Sequence, residues 1–146
     1  MSNRVVMVIR QTPKAKQSAR FNPISRKPVY TAADVRRAED SAKVQFISLW
    51  HPRPVLDGPV TLKLVHQYPW LKKHTREERA LRMLPKTTKP DNTNLRKLIE
   101  DAAEGVVYKN DAQVWCSSDQ RYFCDVDAAQ TLVEVRWNET SEGGEQ

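Results

Sequence analysis

The chain has 146 residues, 39% of them hydrophobic, which is enough apolar material for one compact core and places it in the size range of a single domain. It carries 24 Lys and Arg against 18 Asp and Glu, a formal charge of +6, and its isoelectric point near 9.5 is that of a protein that neutralises phosphates, as a nucleic-acid binder does. No apolar run approaches the roughly 20 residues of a membrane-spanning helix, and the amino terminus lacks the charged-then-apolar pattern of a secretory signal, so a soluble, intracellular and cytoplasmic protein is expected.

Val5–Arg10 is β-branched and reads as a first strand. Gln11–Tyr30 is polar, carries Pro13, Pro23 and Pro28, and reads as a long basic loop with Lys14, Lys16, Arg20, Arg26 and Lys27. From Thr31, a suitable N-cap, Val35, Ala38, Ala42, Phe46 and Leu49 recur at helical spacing, which predicts an amphipathic helix over Thr31–Leu49. The prolines and glycine of His51–Pro59 end it. Val60–Gln67 alternates apolar and polar residues and is expected to be a strand pairing with the first.

Trp70–Lys89 is dominated by charge. At its centre Thr75–Met83 suits a short helix with Arg76, Arg79 and Arg82 at successive three-residue steps, either a solvated surface or a basic ridge along a nucleic-acid backbone. A second main helix runs from about Asn94 to Glu104 and is closed by Gly105. Short β-like segments follow at Val106–Tyr108, Gln113–Ser117 and Gln130–Trp137. The order predicts an α+β fold, a small mixed β-sheet with helices packed on one face, forming one domain over residues 1–138. The acidic remainder, Glu139–Gln146, is expected to be disordered, and without its three glutamates the domain is +9. Cys116 and Cys124 lack a second pair for a zinc site and read as reduced thiols.

Projected at 100° per residue, the second main helix turns Leu95, Leu98, Ile99 and Ala102 to the core and sets Asn94, Lys97 and Asp101 along one flank. Asp91 precedes this helix and Asp111 follows it in a Lys109–Asn110–Asp111 turn. If Val106–Tyr108 runs back beside the helix start, Asp111 comes near Asp91. Paired carboxylates suit Mg²⁺, which takes oxygen ligands and keeps several waters, and a neighbouring lysine suits the charge developed on phosphorus. Each residue also has an ordinary use: Asp91 at the positive end of a helix dipole, Asn110 and Asp111 in a turn, Lys97 and Asp101 as a surface ion pair.

The stretch KPDNTNLRKLIEDAAEGVVYKNDAQV, Lys89–Val114, resembles the signature of the RusA family of Holliday-junction resolvases, a K-P-D-x-D-N-L-x-K segment followed by a helical aspartate and D-D-x-Q-V. Weaker likeness extends to Val29–Thr31 and to Arg121 and Tyr122. The resemblance implies a homodimeric, Mg²⁺-dependent endodeoxyribonuclease, often phage or prophage encoded, that cuts four-way DNA junctions by symmetrical nicks in recombination and repair, with Mn²⁺ able to replace Mg²⁺. It puts Asp91 and Asp111 at the positions of metal-binding catalytic aspartates and Lys97 at that of an essential lysine. Thr93 and Asn110 stand where the signature has aspartate, and Thr93 equally suits an N-cap. Asp101 is the candidate to supply the third metal-binding carboxylate. Lys14, Lys16, Arg20, Lys72, Lys73 and Arg76 are the candidate phosphate contacts. The rival readings are a non-catalytic junction-binding or DNA-architectural protein, and a protein of this fold that binds RNA or another protein.

Overall fold

The structure, a computed structural model, describes residues 2–16, 32–88 and 92–138. The expected N-cap at Thr31, most of the basic loop and the acidic tail lie outside them.

Five strands form one mixed sheet: β1 (Ser2–Ile9), β2 (Val60–Pro69), β3 (Met83–Pro85), β4 (Val114–Cys124) and β5 (Gln130–Asn138), in the order β1-β5-β2-β4-β3. The pairing expected between the first two strands does not form. β5 lies between them, antiparallel to both, with Val135 opposite Val5 on one side and Leu62 on the other. Only β2 and β4 run parallel. Such a pair needs a long crossover, and here it contains α2 (Arg76–Ala80), β3 and α3 (Asn92–Ala103).

Period-two alternation sends Met7 and Ile9, Leu62 and Leu64, and Val133 and Val135 to one face of the sheet. There they join Val35, Ala42, Phe46 and Trp50 of α1 (Ala32–Trp50) and Leu98, Ile99 and Ala102 of α3 in a single core. The expected α+β architecture, with its main helices on one face, is therefore present. At the end of α1 the buried residue is Trp50, not Leu49: Trp50 meets Trp137 edge to face at 5.4 Å, while Leu49 is exposed.

The α2 region is built from a capping box, in which the Thr75 hydroxyl accepts from the Glu78 N–H and the Glu78 carboxylate accepts from the Thr75 N–H. The helix ends at Ala80, so the three arginines form no continuous ridge. Arg79 donates to the carbonyls of Leu71 and His74, and Arg82 lies past the helix in a left-handed conformation, φ 67°.

Val106–Tyr108 is a turn, not a strand, and it packs on the last turn of α3 instead of running back to its start. Gly105 adopts φ 86°, the Val107 N–H donates to Ala103, and the buried Tyr108 hydroxyl donates to the Glu100 carbonyl at 2.7 Å. Opposite, the Leu56 N–H donates to Val107 and the Gln113 amide to the Leu56 and Gly58 carbonyls, so the loop after α1 fixes the approach to β4. No helix among the described residues is long and apolar enough to cross a membrane.

Candidate metal centre

The amphipathic pattern of α3 decides what faces the site. With Leu95, Leu98, Ile99 and Ala102 buried, the helix must present Asn94, Lys97, Asp101 and Glu104 along its flank. The Asp111–Gln113 turn that opens β4 returns beside this flank. Its geometry is local: Asn110 accepts from the Ala112 N–H, Gln113 accepts from the Asn110 N–H, and the Asp111 N–H donates to Glu104 at 3.1 Å. The turn-forming role foreseen for Asn110 holds, and it aims the Asp111 carboxylate at α3.

Lys97 stands between two carboxylates from different elements, its Nζ 3.7 Å from Asp101 Oδ1 and 3.6 Å from Asp111 Oδ2. Both distances exceed a hydrogen bond. The ammonium is held by charge alone and its side chain is 52% exposed. Lys16 differs: its Nζ is 2.6 Å from both Glu39 Oε1 and Asp101 Oδ2, and its N–H donates to the Asn94 carbonyl. Burial alone would depress its pKa, yet the hydrogen bonds to Asp101 and Glu39 outweigh it and hold the ammonium above its ordinary range. Lys16 is therefore a strut inside the acidic cluster, whereas the sequence had grouped it with the phosphate contacts. Lys97 is the more exposed cation beside it, outside hydrogen-bond distance of both Asp101 and Asp111.

Glu100, half-buried behind Asp101, has its carboxyl pushed up first by burial, against the pull of Arg96 and with the repulsion of Asp111 and Asp101. Glu39, Glu100, Asp101, Glu104 and Asp111 thus stand against four cations, Lys16, Lys43, Arg96 and Lys97, in a chain that is basic as a whole. These carboxylates offer oxygen donors, the type that a hard divalent cation takes. Among the described residues no group of three or more His, Cys, Asp or Glu side chains is arranged to hold a metal. Asp91 lies outside those residues. Thr93 falls within the first turn of α3 and is exposed, since the helix begins at Asn92; it is not the N-cap.

Of the remaining basic candidates, Lys14 is exposed on the segment that leads to Lys16. Lys72, Lys73 and Arg76 are exposed too, but on the turn whose Trp70 and His74 pack toward Phe123 at the far end of β4. At about 3.3 Å per strand residue that end is on the order of 30 Å from Asp111. Arg20 lies outside the described residues. Sequence reasoning missed Glu39, Glu100 and Glu104; the four-residue spacing of Glu100 and Glu104 around Asp101 was the available signal, while Glu39 comes from another helix and gave none.

The chain matches the family model for Endodeoxyribonuclease RusA over residues 11–136. No curated protein matches it.

Proposed function

This chain belongs to the RusA endodeoxyribonuclease family, and from that premise we propose that it is a Mg²⁺-dependent endonuclease that resolves four-way DNA junctions by paired symmetrical nicks, acting as a homodimer in a bacterial cytoplasm. The observation that carries the reading is the Lys97 ammonium set between Asp101 and Asp111 at the end of the family signature.

Asp91 and Asp111 would hold the metal, with Asp101 contributing Oδ1, the oxygen not hydrogen-bonded to Lys16. Bound there, Mg²⁺ or Mn²⁺ supplies a Lewis acid for the scissile phosphate and lowers the pKa of a water. The rest of the work falls to the chain. Lys97, loosely held and half exposed, swings its point charge toward the phosphoryl oxygens as negative charge builds on them. Lys16 keeps Asp101 in place while Lys97 moves, and Glu104 fixes the backbone of Asp111. Two-fold symmetry sets two such sites on opposite arms of a junction. Lys14, Lys72, Lys73 and Arg76 contact backbone phosphates away from the cut.

A synthetic four-way junction and a linear duplex incubated with Mg²⁺ or Mn²⁺ test this. Symmetrical nicking of the junction alone, abolished in Asp91→Asn with binding retained, is the expected result; equal cutting by that variant sinks the assignment.

One observation favours a second reading, a junction-binding protein that does not cut. Thr93 presents a neutral hydroxyl where the family signature has a carboxylate. Thr93→Asp separates the two: strong gain of cleavage marks a weakened nuclease, and no cleavage by either form marks a binder.

A further inference from the structure

Trp115 is the most exposed large hydrophobic side chain among the described residues, with 72% of its surface open to water. The local fold holds it there. Where β4 pairs with β2, Val60 lies opposite Val114 and Thr61 opposite Cys116, so Trp115 is the extra residue of a bulge and has no partner across the ladder. A bulge of this kind re-aims a side chain out of the alternation of its strand. Val114, just before it, packs against the core. On the other side of β4 a described strand borders only Tyr122–Cys124, so none runs beside the indole on that edge.

The position is close to the chemistry. Trp115 follows Asp111 by four residues, along the turn and strand that lead away from the acidic cluster, a chain reach of at most about 14 Å. At about 3.4 Å per nucleotide along a DNA strand, a base against the indole lies on the order of four nucleotides from a phosphate at Asp111. Lys109, before the same turn, and Lys97 on α3 are both more than half exposed. A flat apolar side chain near exposed cations suits a base with an open face, since every base has a π-face and carries a phosphate beside it. A protein interface calls for an apolar core, whereas the residues that follow, Cys116, Ser117 and Ser118, are small and exposed. In a linear duplex each base is covered by its neighbours; where four arms meet, the stack is interrupted and base faces come free. We propose that Trp115 stacks on an open base at the branch point and so supplies preference for branched over linear DNA. This rests on the reading of the chain as a junction nuclease under Proposed function, and adds to it a contact that needs no metal.

The test measures, without divalent metal, how the full chain and its Trp115→Ala, Trp115→Leu and Trp115→Phe variants bind a synthetic four-way junction, a linear duplex and an oligodeoxythymidine about ten nucleotides long. Sedimentation of each free protein reports its oligomeric state. Trp115→Ala and Trp115→Leu are expected to lose about tenfold in affinity for the junction and the single strand, to stay within about twofold on the duplex, and to keep the wild-type salt dependence because no charge is removed. Trp115→Phe retains an aromatic face and most of the affinity. The unchanged duplex affinity guards against a loss due to misfolding. Wild-type junction affinity in Trp115→Ala overturns the proposal, as does Trp115→Leu binding as well as Trp115→Phe, which marks a merely apolar contact. A variant that sediments as a smaller species overturns it in favour of a contact between copies of the chain. If wild type binds the junction no tighter than the duplex, the reading beneath the proposal fails and takes it along; if all variants keep a junction preference equal to that of wild type, that reading stands and only the role of Trp115 falls.

Discussion

His66 offers a measurement of how far the sheet shields its polar groups. It lies on the helix-bearing face of β2 with no exposed surface, its Nδ1 2.8 Å from the Thr131 hydroxyl of β5, and its Nε2 has no hydrogen-bond partner among the described residues. Burial, reinforced by the Arg121 charge, lowers its pKa from 6.5 to about 4. Between those values the unfolded chain carries a proton on this imidazole and the folded chain does not, so acid favours unfolding. The stability is fully present above 6.5 and drains away as pH falls toward 4. Each pH unit crossed is worth about 1.4 kcal/mol, and the window as a whole about 3 kcal/mol. Asn at this position keeps an acceptor or donor for Thr131 and removes the titration, at a packing cost that does not depend on pH. Urea unfolding of wild type and His66→Asn from pH 7.5 to pH 4 should give curves that converge by about 3 kcal/mol on acidification. The raised carboxyls of Glu100 and Asp119 act in the opposite sense but are common to both proteins. Parallel curves would refute the reasoning, because they require an imidazole that takes up its proton equally well in both states.

Two other outcomes follow from geometry. Removing Lys14, Lys72, Lys73 or Arg76 should each reduce the slope of log K against log salt for DNA binding by about one, whereas Lys16→Met should leave that slope alone and cost about 1 kcal/mol of folding stability, discounted for its partial exposure. A reduced slope in Lys16→Met would return this lysine to the DNA surface. Gly105→Ala should lower stability by about 1 kcal/mol from backbone strain alone, since φ is 86° and a Cβ there meets no atom within 4 Å; a thermal midpoint equal to wild type would contradict the left-handed closure of α3.

The elements that were legible before the structure are those whose pattern is intrinsic to a short stretch. α1, α3 and β2 each carry a periodic apolar face, and Leu95, Leu98, Ile99 and Ala102 are buried as that pattern requires. What escaped depends on distant residues. β3 is three residues long and exists only because Met83–Pro85 meets Tyr122–Cys124. The second half of β4 reads as polar because Asp119 and Arg121 point into a charged layer beneath α3, where apolar alternation was the signal sought. Val106–Tyr108 has strand composition, yet Gly105 turns the chain there and Tyr108 is consumed as a plug under α3. In the site, the flank of α3 was readable from its sequence, and the approach of Asp111 to Lys97 was not, because a turn supported by Leu56 and Gly58 sets it. Lys16 carried the same charge signal as Lys14; only folding brings Asp101 and Glu39 to it.

The position of β5 has a consequence for the order in which the molecule can be assembled. It is the last described strand along the chain and the second across the sheet, and eight residue pairs join it to β1 and eight more to β2. Until residues 130–138 have been made, β1 and β2 have no neighbour on the edges they later share, and their backbone groups face water or another chain. Pairing of such distant segments closes large loops and is slow. A nascent chain that already contains all of α3 and the head of β4 still lacks the strand that joins β1 to β2, so the sheet behind the face proposed to cut DNA closes only once residues 130–138 have been made.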